Sequence, residues 1–256
     1  MSTGLGVGGR KIELVSSDGT RLEGRAFRPA EGKIASAILL VHKEGEDERG
    51  SGLFDFLIPE LLDKGMLAVT FNIRGHGTSE GEQEELTISS IANDMRAAVC
   101  WAWQESRGRG VTVIAAGISA CASLWLAAVE PPPELERILM FQPVLDPRRK
   151  FIDRIPYWRN RQIDQIAGRN LSEHSFLPHS SGFRLGRPFL NEILNLDPAS
   201  LLSRATVSIR CMCEAGGSKL SIHGSHADIE EEEEDALFSD EREVASLLRL
   251  ALSSEW

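Results

Sequence analysis

Ser119 has the setting in this sequence best suited to chemistry. It lies in "VTVIAAGISACASLWLA" (111–127), which begins as a β-branched apolar segment, passes through Gly117–Ile118–Ser119–Ala120–Cys121 and continues as a helix-like run of small residues. A strand turning sharply into a helix pushes such a serine out at the top of a sheet. The N–H of the next residue, Ala120, then points toward a developing oxyanion. The implied chemistry is acyl transfer. It also needs a base, because a serine hydroxyl holds its proton at neutral pH. The six histidines fall into three groups. His42 and His76 sit in turns and read as packing residues. His174 and His179 lie in a polar stretch farther on, and His223 and His226 share the segment "SIHGSHAD".

The elements around Ser119 must hold it in place. "KIELVSS" and "RLEGRAFRP" alternate apolar and polar residues on either side of Asp18–Gly19, which predicts a hairpin. "SAILLVH" (36–42), "LAVTFNIR" (67–74), "VTVIAA" (111–116) and "RILMFQPV" (137–144) are short apolar runs that predict buried strands. Between them, Phe54, Leu57, Ile58, Leu61 and Leu62 share a helical face that stops at Gly65, with Pro59 predicting a late start or a kink. Ile88, Ile91, Ala92, Met95, Val99 and Ala102 share a second face. The order β-α-β-α-β-α-β over 33–144 predicts an α/β fold, its sheet mostly parallel and covered by helices on both faces.

Residues 145–200 break that rhythm. They are polar, rich in Arg and aromatics, and contain three helix-like pieces without a clear strand. In a sheet protein such an insertion sits above the strand ends, so it reads as a helical cap. "TVSIRCMC" (206–213) resumes the sheet. Asp240 with Glu243 predicts a capping box before a last helix carrying Val244, Leu247, Leu248 and Ala251. The expected division is a core of 1–144 and 201–256 with a cap at 145–200.

Composition narrows the function classes. With 28 Lys+Arg against 38 Asp+Glu, the net charge of −10 argues against general nucleic-acid binding. The N-terminus has no apolar h-region, and the uncharged run 111–129 is split by Gly117 and Ser119, so no transmembrane segment is expected and the cytoplasm is the expected compartment. Cysteines at 100, 121, 211 and 213 lack zinc-site spacing and read as buried free thiols. The acidic run Glu230–Glu234 reads as solvated, and neither metal nor cofactor is expected.

Two further stretches agree with the Ser119 turn. "LLVHKEGED" follows the third strand where a His-Gly oxyanion loop would stand, and "NIRGHGTSEG" (72–81) is similar to an Arg-Gly-x-Gly-x-Ser turn after the fourth. With these the chain resembles the α/β-hydrolases, in particular the serine aminopeptidase and monoacylglycerol-lipase-like branch. "VHKEGEDERG" and "LMFQPVLD" also resemble the exosortase-associated hydrolases of that branch. The resemblance covers 11–144 and, more loosely, 200–252. It implies an α/β-hydrolase fold with an N-terminal antiparallel hairpin, and a Ser–acid–His triad in that chain order. Cys121 replaces the second Gly of the Gly-x-Ser-x-Gly pattern. The acid position reads Gly216, Gly217 and Ser218, and the His position is Ala236.

Substitutes stand nearby: Glu214 as the acid, His226 as the base with His223 behind it, and Asp228. The resulting expectation is a serine hydrolase cleaving a carboxylic ester or thioester through a Ser119 acyl-enzyme, with the oxyanion held by the N–H groups of Ala120 and a residue near Glu44. The alternative is a non-catalytic protein of this fold that binds a ligand or partner, its triad acid and His lost. Arg148, Arg149, Lys150, Arg154, Arg159, Arg161 and Arg169 against two aspartates make a basic stretch suited to an anionic substrate or to a solvated helical face.

Overall fold

The structure is a computed structural model and describes residues 9–30, 33–155, 158–160, 162–212 and 220–222. The N-terminal hairpin forms from β1 (Arg10–Val15) and β2 (Arg21–Phe27), paired antiparallel with Leu14 opposite Leu22. Its turn closes through Ser16 N–H to Thr20 O and Gly19 N–H to Ser16 O, and Gly19 supplies the positive φ of +88° that the turn requires. Four parallel strands follow in sequence: β3 (Ala37–Val41), β4 (Leu67–Phe71), β5 (Val111–Ala116) and β6 (Leu135–Pro143). The helices between them are α1 (Leu53–Asp63), α2 (Ile88–Glu105) and α3 (Gly117–Val129).

Every residue of β3, β4 and β5 is buried, because helices cover both faces. Alternation along β3 shows the division. Ala37, Leu39 and Val41 join the larger apolar cluster with α2 and α3, whereas Ile38 and Leu40 pack with Phe54, Leu57, Ile58 and Leu61 of α1. Pro59 sits inside α1, which begins at Leu53, so the proline does not start the helix.

The segment after β6 contains α4 (Gln165–His174), α5 (Arg187–Asn195) and α6 (Pro198–Arg204), the three helices the sequence predicts. It also holds strands the sequence does not predict: β7 (Trp158–Arg159) with β8 (Gln162–Ile163), and β9 (Phe176–Pro178) with β10 (Arg184–Gly186). Ribbons of two or three residues are too short to show a period in sequence. A π-helical turn at Arg149–Asp153 opens the insertion. Phe151, Phe183 and Phe189 form its buried aromatic centre, each pair meeting within 6.2 Å.

β11 (Ser208–Met212) returns parallel to β6, and β12 (Leu220–Ile222) pairs antiparallel to β11, a strand where the sequence reads as loop. Among the described residues the main sheet has eight strands in the order β1-β2-β4-β3-β5-β6-β11-β12. Glu214, His223, His226, Asp228, the Glu230–Glu234 run and the predicted last helix lie outside the described residues.

Candidate functional site

The C-terminal ends of β3, β4 and β5 bring three loops together: His42–Gly45, Asn72–Gly77 and the start of α3. Ser119 does not occupy the turn. β5 runs through Ala116, and the chain reverses at Gly117, whose φ is +55°. Ser119 therefore falls in the first turn of α3, fully buried, and its Oγ donates to the backbone oxygen of His42 at 2.6 Å. Its hydroxyl stitches α3 to the β3 loop rather than opening into a pocket. Ala120 is likewise a fully buried helical residue.

This moves the expected elbow by two positions. The residue on a strained strand-to-helix turn is where a nucleophile stands, and the next residue's N–H faces the oxyanion. In this chain those places belong to Gly117 and Ile118. Glycine takes a positive φ without steric penalty, so the first glycine after the strand fixes where the turn closes. That signal is present in the sequence, and the serine two residues later distracts from it.

Glu44 reaches the start of α3 through its side chain: Oε2 accepts from Ile118 N–H at 3.0 Å. Oε1 accepts from Lys150 Nζ at 2.8 Å, the lysine coming from the turn that opens the insertion. A Cβ added at Gly117 would meet both Glu44 Oε2 and Lys43 Cβ at 2.5 Å. The Glu44 carboxylate thus fills the space beside the Gly117 turn. The neighbouring Gly45 amide donates to His76 Nε2 at 3.3 Å, so it too is engaged.

Both buried histidines here are neutral struts. His42 Nδ1 donates to Lys43 O at 2.8 Å, and its Nε2 accepts from Ile73 N–H at 3.2 Å. His76 repeats the pattern, donating from Nδ1 to Arg74 O at 3.0 Å. Burial, and then the neighbouring His76, push the His42 pKa down to about 3. Burial lowers that of His76 as well. With both ring nitrogens committed to backbone groups, neither imidazole has a free position for proton transfer. Arg74 of the same turn grips Asp94 on α2 and Asp18 in the hairpin, at 2.5 and 2.6 Å.

Ser181 and Phe183, from the segment after β6, pack against these loops. A Cβ on Gly45 would meet Ser181 O at 2.7 Å, and Phe183 stacks on His76 with ring centroids 6.0 Å apart. His179 meets the Phe151 ring edge-on, while His174 is exposed on α4. Of the basic stretch, Lys150 turns inward to Glu44 and Arg148 pairs with Asp153. Among the described residues no three His, Cys, Asp or Glu side chains converge as metal ligands, and no helix is long and apolar enough to cross a membrane. Cys100 and Cys121 are free thiols, and burial pushes Cys121 up to about 12.

The fold recurs in known structures. The chain superposes on Est1E from Butyrivibrio proteoclasticus, solved with ferulic acid bound, with a TM-score of 0.60 at 14% identity, covering 77% of this chain and 76% of that one. For GrgF, an alpha/beta hydrolase from Penicillium sp. sh18, the TM-score is 0.56 at 14% identity, with 79% and 78% covered. For DcsB in complex with its substrate analogue it is 0.60 at 12% identity, with 80% and 79% covered. At such identities the likeness is one of fold. No curated protein matches the chain in sequence. The family model for X-Pro dipeptidyl-peptidase (S15 family) matches residues 18–169, more than half the chain and the part that carries all three converging loops. The chain belongs to the X-Pro dipeptidyl-peptidase (S15) family, within the α/β-hydrolase superfamily.

Proposed function

We propose that this protein uses its serine-hydrolase-type fold to bind a ligand or partner at the strand ends, without forming an acyl-enzyme. One observation carries the reading: the elbow position is Gly117, and the amide beyond it already hydrogen-bonds the Glu44 carboxylate. A glycine offers no nucleophile, and an engaged amide does not stabilise a developing oxyanion. Ser119 is an unsuitable substitute because its Oγ is sealed against the His42 carbonyl. In this reading 145–200 is a cap that holds the site closed, which the Lys150–Glu44 ion pair supports.

The test is labelling with a fluorophosphonate, alongside hydrolysis of p-nitrophenyl butyrate. The full-length protein should take no label and turn over the ester at background rate. Any labelling of the wild-type protein would overturn the proposal, and the diagnostic case is labelling that disappears in Ser119→Ala, with ester turnover lost in both Ser119→Ala and His226→Ala. It would favour ester or thioester hydrolysis through Ser119, His226 and Glu214 instead.

A further inference from the structure

The Glu44 carboxylate is bridged by two donors from separate elements. One is the Ile118 amide at the start of α3; the other is the Lys150 ammonium from the insertion. Its two oxygens are divided between them, one each. We propose that this amide and this ammonium form a binding site for a carboxylate, and that Glu44 is the occupant the chain itself supplies. An acidic ligand enters by taking Glu44's place. The proposal rests on the reading that the Ile118 amide is not used to stabilise an acyl-enzyme.

Three features favour exchange of one carboxylate for another. The swap leaves each donor with an acceptor and Lys150 with a counter-charge, so no buried group is left unpaired. The displaced Glu44 gains water, which solvates a free carboxylate well. Lys150 provides the way in, its side chain being 31% exposed while Glu44 is 3% exposed. The space also selects by charge and shape. Two donors meet the two oxygens of a planar carboxylate, whereas a phosphate would bring further oxygens that neither donor faces.

The experiment follows the Ile118 amide by 15N NMR while sodium acetate is titrated against sodium chloride at constant ionic strength. Glu44→Ala removes the internal occupant, so acetate should bind it saturably and at least ten-fold more tightly than wild type. Glu44→Gln, which keeps the acceptor oxygen and loses the charge, should fall between them. Adding Lys150→Met to Glu44→Ala should abolish the response. A folded Glu44→Ala protein with no saturable shift at Ile118, or a response undiminished by Lys150→Met, overturns the proposal. Should Glu44→Ala fail to fold by circular dichroism, Glu44→Gln against wild type decides, and equal acetate affinities overturn it. The two failures are separable. Fluorophosphonate labelling of wild type removes the binding reading whatever acetate does, whereas a silent titration of unlabelled protein removes the carboxylate site alone.

Discussion

Gly117 is constrained on two counts. A side chain there would meet the +55° φ, and its Cβ would press on Glu44 and Lys43 at 2.5 Å. An L-residue in that backbone region costs about 1–2 kcal/mol, and forced overpacking about 1–3 more. Gly117→Ala should therefore lower unfolding stability by about 2–5 kcal/mol, measured from the urea midpoint. Glu44→Gly should relieve part of it, and a double-mutant cycle should show favourable coupling of about 1 kcal/mol or more. Additive effects would mean that the carboxylate is not what crowds position 117. At this scale the sequence was legible only in part. It pointed to the right turn, but that turn closes at Gly117 and places Ser119 two residues farther on, because the backbone obeys the glycine. The Glu44–Lys150 contact joins residues 106 positions apart, and no local pattern announces such a pair.

At the scale of elements, α2 shows how the insertion is tied to the core. Thr87 and Ser90 form a reciprocal capping box at its N-terminus. Glu192 of α5 adds a carboxylate that accepts from the Ile88 and Ser89 amides and from Ser89 Oγ. A carboxylate at a helix N-terminus satisfies orphan donors and opposes the helix dipole. Glu192→Ala should lower stability by about 1–2 kcal/mol. It should also speed hydrogen exchange at Ile88 and Ser89 while leaving β3 and β5 protected. A stability change under about 0.3 kcal/mol would show that Thr87 and Ser90 suffice. The helices and long strands were readable because their apolar residues repeat at 3.6 or 2 and pack against a single core. The ribbons β7–β10 and the edge strand β12 were not, since three residues hold no period and their pairing depends on what lies opposite.

For the whole molecule, the covered parallel sheet was foreseen from strand–helix alternation, and with it the gathering of loops at one end. What alternation does not carry is the electrostatic state of that end. His42 is neutral when folded, with its pKa near 3, and ionises near 6.5 when unfolded. Below pH 6.5 the unfolded chain takes up a proton that the folded protein refuses, so stability falls as pH drops toward 3. The slope from this one group is about 1.4 kcal/mol per pH unit, and His76 adds to it in the same direction. Urea midpoints between pH 7 and pH 4 should fall accordingly, and His42→Gln should flatten the profile. A wild-type midpoint constant over that range would contradict the burial of both rings.

The filled turn at Gly117 also has an evolutionary consequence. A hydroxyl could be written into position 117 by a single codon change, yet the serine would arrive in a space already held by Glu44 and Lys43. It would also lack a free amide beside it, because Ile118 is engaged. The first mutant would be less stable and no more active, so selection has nothing to retain. Clearing Glu44 first exposes the Lys150 ammonium without its partner, which is no gentler a path. In the proposed binding reading, drift one substitution at a time is thus held away from hydrolysis by the side chains of Glu44, Lys43 and Lys150.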